Sequence, residues 1–443
     1  MTVVVNSRDD FTLENYRRVS WGGEPVAIGA QARRVMAKQR ADFMRLLESD
    51  RTQFIYGVTS SFGPRARVTI PPEEQRAHAR EFSFRGNWAR GFGGGHLDER
   101  VVRGIVFARL ANFVAGNSKA RPVVAERVAA LLGGPVPPVP LDGQVGAGEV
   151  LPLAHALAGL RNDDLEEGEA NPIANGSPVS AALAADTALL AGDRLGHAGQ
   201  VLALSVEAWQ APLDPYDEAV DELGGDDDEA SARAALRGYL SGASPDGRRA
   251  DRVPLCYLIL ASVLGQAHRA VAGVAEAARV SLRSVTDNPV YLPPDARHPL
   301  GRVASNGGFH NAMAYPALNA LAAAWANLTV LAVQQVTELR ALRPEVRAVA
   351  GPEPALGGLA DEARAAALPT LLPAAVNDPQ DDVSMPVFSA YRREAEAARC
   401  LDRAVGALAV AAGQALSAAG HRPAPPLAGL FESVATGRGR GQA

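Results

Sequence analysis

Cysteine is nearly absent from this chain: Cys256 and Cys400 are the two in 443 residues. Two thiols so far apart, each in apolar surroundings, make no disulfide framework and fit a reducing compartment. Aromatics are scarce, at 5%, and polar–apolar alternation is rare, which argues against a sheet-based fold. There is no excess of positive charge. The formal net charge is −5, so the electrostatic footprint of a nucleic-acid binder is missing. Arginines interspersed with acids read as solvated helix faces. The first twenty residues contain Arg8, Asp9, Asp10 and Glu14 and do not read as a secretory signal. No uncharged apolar run is read as a membrane span of ~20 residues; the stretch 254–264 is too short and reads as a core helix. No spacing of His, Cys and carboxylates points to a metal site. A cytoplasmic protein is expected, with neither nucleic acid nor membrane as partner.

Apolar residues make up 47% of the chain, enough for a substantial core. Long alanine-rich stretches follow the helical period. Helices are expected over 101–115 and 121–132, the second with Pro122 in its first turn. Ser177-Pro178 reads as a cap and first turn for a helix reaching 209. Further helices are expected over 253–285, 311–342 and 385–419. Residues 214–244, with Asp226, Asp227 and Asp228, read as a surface excursion, and 293–308 as turns. Residues 352–377 read as loose, and the tail after Arg422 as frayed. The expected fold is mainly α: a long central helix bundle with a smaller N-terminal loop-and-helix region. The division 1–205 and 206–443 is read as two parts of one continuous body.

The stretch 143–155 stands out. Gly143, Gly146 and Gly148 fall within six residues and lead into an apolar segment ending at His155. Closely spaced glycines permit positive φ and close backbone approach. By pattern this is a tight turn before a buried helix.

Five separated segments resemble one family, the aromatic amino-acid ammonia-lyases. Residues 56–63, from Tyr56 to Gly63, resemble that family's Tyr-Gly-Val-Asn-Thr-Gly-Phe-Gly loop. Arg109 to Pro122 is similar to its helix pair, and Asn175-Gly176-Ser177 to its Asn-Gly-Thr turn. Residues 284–289 match its Asn-Ser-Val-Thr-Asp-Asn-Pro signature almost letter for letter. Residues 380–385, from Gln380 to Met385, resemble Glu-Asp-His-Val-Ser-Met or its Gln-Asp form. The matches keep their order and cover roughly residues 50 to 420. The resemblance implies a helical lyase fold, a homotetramer and a small-molecule substrate.

Residues 143–155 then correspond to the segment in which the family's Ala-Ser-Gly triad cyclises and dehydrates to a methylidene-imidazolone. Here the segment is one residue short and contains no serine. Ala147, Gly148 and Glu149 occupy the degenerate loop, and neither alanine nor glycine carries a leaving group at Cβ. By the family's route the electrophile does not form, and no cofactor is expected. The family's Asp-Pro-Tyr-Ser-Leu-Arg motif becomes 251–256: Val253 replaces a tyrosine, and Cys256 replaces the arginine that would clamp a carboxylate. Asn87-Trp88 replaces a Ser-His pair, Ser61 replaces a glycine, and the asparagine of Gly-Gly-Asn-Phe-His is displaced to Asn306.

The resemblance makes Tyr56 the proton-transfer residue, the alternative being a tyrosine that packs under the loop, with Asn175 and Gln380 orienting a carbonyl, sharing an oxyanion or tying loops together. Trp88, Phe309, Ser60 and Val253 are candidate substrate contacts, the first two as walls for an aromatic or polyene substrate. His310 reads equally as a structural histidine or an acid, and 287–289 as turn and capping chemistry. The expected function is cofactor-independent acid–base chemistry on an activated carbonyl compound: conjugate addition, elimination, isomerisation or cyclisation. Abundant Ala, Arg and Pro suggest a high-GC genome and a role in specialised-metabolite biosynthesis. A catalytically silent binding protein, or an ammonia-lyase or aminomutase with a replacement cofactor, are the alternatives.

Overall fold

The computed structural model describes residues 1–81, 95–160, 164–343, 346, 353–374 and 382–435. They are mostly helical. The long helices are Pro178–Trp209, Leu260–Arg283, Ala314–Leu342 and Val387–Ala419, close to the ranges that periodicity predicts. Ala314–Leu342 is long and apolar enough to cross a membrane, contrary to the expectation of no such run; 61% of its most apolar stretch is buried within the protein.

Several segments differ from expectation for identifiable reasons. The helix expected from 253 is broken into Leu255–Leu258 and Leu260–Arg283. Its first turn is amphipathic rather than core: Leu255, Leu258 and Ile259 are exposed while Cys256 and Tyr257 are buried. The acidic excursion holds the helix Asp227–Tyr239, for which Asp226 caps the backbone N–H groups of Asp228 and Glu229 at 3.0 and 3.2 Å. Those acids sit where a helix N-terminus favours negative charge. Residues 352–377 are not uniformly loose, because Glu353–Ala366 is helical. Pro354 falls in its first turn, where no donor is needed. The tail carries the helix Ala428–Ala435 instead of fraying at once. Residues 293–308 include one strand of a hairpin, Val290–Leu292 antiparallel to Arg302–Ala304. A parallel pair, Val3–Val5 with Val26–Ile28, and the helix Ala30–Ser49 complete the N-terminal region.

Two compact units can be distinguished. One gathers Met1–Leu189, Ala275–Tyr315 and Thr370–Ser389; the other gathers Leu190–Val274, Pro316–Pro369 and Ala390–Ala443. The chain thus passes between them repeatedly rather than once near residue 205. In the second unit, long helices are joined by buried polar bonds. Trp325 donates to Glu394 at 2.7 Å, and Gln335 donates to the carbonyl of Cys256 at 3.0 Å.

The first unit is organised around a helix with almost no exposed face, Glu99–Val114. Arg109 lies on it with no solvent exposure and pairs with Asp287, which is equally buried. The guanidinium also donates to the carbonyl of Asn175 at 2.8 Å. Asn112 donates to the Asp287 carboxylate at 3.0 Å, while its own Oδ1 accepts from the Thr286 N–H at 3.1 Å. The 287–289 segment is therefore an ionic anchor rather than a simple cap. Breaking one half of such a pair leaves an uncompensated buried charge. Arg109→Met or Asp287→Leu should each lower unfolding free energy by roughly 3–5 kcal/mol in urea titrations. The double replacement should recover much of that loss.

Candidate active site

The degenerate loop folds as a left-handed turn. Gly146 and Gly148 have φ of 106° and 66°, and Glu149 follows at 53°. The Gly148 carbonyl accepts from the N–H of Gly176 at 3.0 Å, and that of Gly146 from Met385 at 3.3 Å. The helix Val150–Ala156 then begins, largely buried, as the pattern predicted.

A left-handed non-glycine residue is strained, and the Glu149 side chain shows what holds it there. Its carboxylate is buried and accepts from the N–H groups of Val179 and Ser180 at 2.6 and 2.9 Å, and from the Ser180 hydroxyl. Those N–H groups lie in the first turn of Pro178–Trp209, where no intrahelical partner exists. Glu149 therefore fills the capping role expected of Ser177, whose hydroxyl instead donates to the Gly308 carbonyl at 3.3 Å. Burial pushes the Glu149 carboxyl up to about 7, against the pull of its three donors and of Arg109.

Beside this loop lies an open cavity of about 530 Å³, whose walls include Ala147, Asn288, Asn306, Phe309, His310 and Asp382. Phe309 is thus a wall, as expected. Asn288 is held on both sides: Asn175 donates to its carbonyl at 2.9 Å and accepts from its N–H at 3.0 Å. Lys119, fully buried, donates to the next carbonyl, Pro289, at 2.8 Å, and burial pushes its amine down to about 8.

Tyr56, Ser60 and Asn175 do not line this cavity. The Tyr56 phenol oxygen accepts from the N–H of Gly63 at 2.9 Å, and its ring meets Phe62 edge-on. The Ser60 hydroxyl is buried, 3.5 Å from the Ser61 carbonyl. The Asn175 carboxamide is spent on the Asn288 backbone. Trp88 and Gln380 lie outside the described residues, and Val253 belongs to the other unit. Asn288 and Asp382 were not read as cavity residues. Their place within two family-like segments, 284–289 and 380–385, is the signal that could have found them.

The residues of the loop do not fit a methylidene-imidazolone formed in the family's manner. No serine stands between 143 and 155. A Cβ on Gly148 would lie 3.2 Å from that of Asn175 and 3.8 Å from that of Phe309, so a side chain there meets a wall as well as a left-handed backbone. Elsewhere, among the described residues, Glu362, Glu396 and Cys400 bring possible metal-ligand atoms within 4.8 Å of one another. Arg399 pairs with both glutamates, and burial raises the Cys400 thiol, so the group is an ion-pair cluster.

The fold is that of the ammonia-lyases and aminomutases. A tyrosine aminomutase from Streptomyces globisporus matches it with a TM-score of 0.81 over 98% of this chain and 92% of its own, at 21% identity. The family model for aromatic amino acid lyases matches residues 11–162 and 156–436, and the chain belongs to that family. Curated relatives include a histidine ammonia-lyase of Geobacillus thermodenitrificans, 28% identical over 76% of this chain and 70% of its own length. One of Sorangium cellulosum is 30% identical over 74% and 69% respectively.

The Glu149 carboxyl titrates higher in the folded protein than in a free chain, about 7 against 4.5. Its stabilising contribution is therefore complete below 4.5 and is lost as pH rises through about 7. The loss amounts to at most on the order of 3 kcal/mol. Urea titrations across this range should show the decline, and Glu149→Gln should flatten it; an unchanged pH slope in that variant would refute the assignment.

Proposed function

We propose that this member of the aromatic amino acid lyase family is an enzyme working without the methylidene-imidazolone. It performs acid–base chemistry on an activated carbonyl compound: conjugate addition or elimination, isomerisation or cyclisation. The observation that carries this reading is the loop itself. It has no serine, its Gly148 backbone is packed against Asn175 and Phe309, and its Glu149 is committed to a helix N-terminus. Cys256, at the motif position of the carboxylate-clamping arginine, is a buried thiol pushed up to about 12. It is neutral and supplies no charge to a carboxylate, which favours a substrate lacking one.

Tyr56 is the proton-transfer residue of this reading. Its phenol oxygen is positioned by the N–H of Gly63, which donates to it at 2.9 Å. Phe309 offers an apolar wall to an aromatic or polyene body. A homotetramer in the cytoplasm, serving specialised-metabolite biosynthesis, belongs to the same reading. Exposed Leu255, Leu258 and Ile259 support burial between subunits.

Ordinary ammonia elimination is the second reading, favoured by the histidine ammonia-lyases among the relatives. Intact mass separates the two. The native protein should weigh what its encoded chain weighs and lack the near-ultraviolet band of a conjugated imidazolone. A chain lighter by two waters, with that band, would establish the second reading.

A further inference from the structure

The polar groups around the cavity can be sorted by whether the protein already uses them. Asn306 is spent: its Nδ2 donates to the Asp287 carbonyl at 3.0 Å, and its Oδ1 accepts from the Gly308 N–H at 2.7 Å. Asn288 is half spent. The backbone N–H of Asn306, a donor without ambiguity, meets its Oδ1 at 2.9 Å, and the Ser305 hydroxyl joins it at 3.0 Å. That fixes the flip of the carboxamide and leaves Nδ2, with two N–H groups, unused. The imidazole of His310 makes no hydrogen bond or ion pair among the described residues, although the residue is only half-exposed and its backbone N–H is tied to Gly307 at 2.9 Å. Polar groups drawn out of water are normally paired. His298 shows the usual arrangement in this chain, its Nδ1 3.0 Å from Asp295. Asp382, exposed, is the third unspent group on the cavity wall.

We infer that His310 is a proton-transfer residue of this cavity, whose wall does not include Tyr56, and that Asn288 Nδ2 is its carbonyl-polarising partner, so that the substrate class is a neutral aryl compound with an enolisable carbonyl. The inference rests on the acid–base reading above and extends it to residues that reading does not use. The chemistry balances without a co-reactant. The C–H bond α to the carbonyl breaks, its proton goes to an imidazole nitrogen, and its electron pair forms the enolate C=C. The carbonyl π pair moves to oxygen, where an Asn288 N–H meets the developing charge. Return of the proton to either end of a conjugated enolate isomerises the compound, and loss of a β-substituent completes an elimination. Partial burial lowers the His310 pKa below the usual histidine value, so at neutral pH the imidazole is uncharged and a ring nitrogen has a lone pair for a proton. Phe309, its chain neighbour on the same wall, offers an apolar surface to the aryl group.

The probe is phenylacetone in D₂O, followed by proton NMR with the full-length protein. Wild-type protein should exchange the α-protons faster than buffer, with a rate that rises with pH through a value below the usual histidine range and then levels. His310→Gln should lower the protein-catalysed rate by roughly 10²-fold. Asn288→Asp, which keeps the oxygen used by Ser305 and Asn306 but removes the N–H donor, should lower it as well. Both variants should retain the wild-type unfolding midpoint. The His310 ring resonance, assigned by its loss in His310→Gln, should move when phenylacetone is added. Exchange at the buffer rate by wild-type protein, wild-type exchange by His310→Gln, or an unmoved resonance overturns the assignment. Such a result in protein of encoded mass leaves the cofactor-free reading standing, whereas a chain two waters light removes that reading whatever the exchange shows.

Discussion

The buried pair of Arg109 and Asp287 is the constraint on which the first unit depends. Charges taken out of water are tolerable only when they are paired and hydrogen-bonded; the protein meets much of that need, although Arg109 Nε and Asp287 Oδ2 have no partner among the described residues. Asn112, on the same helix as Arg109, donates to the Asp287 carboxylate and is itself held by Thr286, while the Asn175 carbonyl that takes the guanidinium comes from the turn before Pro178–Trp209. Asn306 closes the set by donating to the Asp287 carbonyl. Once Asp287 is fixed, Asn288 follows, because its backbone is paired both ways with Asn175. A cavity wall is thus placed by electrostatics that lie one residue behind it.

The degenerate loop is attached to the same frame by a different force. Its left-handed Glu149 would be unfavourable in isolation, whereas Gly148 adopts that backbone freely. The turn persists because the Glu149 carboxylate satisfies two N–H groups that the long helix cannot satisfy itself, and because the carbonyls of Gly146 and Gly148 each find a backbone donor. The shortened loop has therefore acquired a structural task. It closes a helix N-terminus and leaves Ala147 facing the cavity.

Much of the fold was legible because helical periodicity is a local property. The ends of Pro178–Trp209 and Val387–Ala419 fall where proline, serine and glycine place them. What escaped depended on partners distant in the chain. Ser177 has the form of a cap, yet Glu149, 28 residues earlier, takes the N–H groups. Asp287 has the form of a turn residue, yet Arg109 lies 178 positions away. Asp226, Asp227 and Asp228 read as part of a surface excursion until the helix that they begin is seen. Of the site, Phe309 was readable as a wall through family likeness. Asn288 and Asp382 were hidden inside motifs whose conspicuous members serve other ends. Nothing local to Asn288 tells that its Oδ1 is occupied and its Nδ2 is not.

That last distinction bears on the proposed chemistry of the cavity. Chemistry that depends on an electrophile needs a group that captures the substrate and a cation that holds its carboxylate. By family likeness Ala147-Gly148 would stand at the first position and Cys256 at the second, and the Cys256 thiol is buried. The unspent groups on the described cavity wall are a carboxamide donor, an imidazole and a carboxylate. Together they can polarise an oxygen and move a proton, but they cannot form a bond to an amino group by addition. On the proposed reading, the serine-free loop and the unpaired imidazole beside an apolar wall are two aspects of one arrangement, in which a lyase scaffold works by proton transfer.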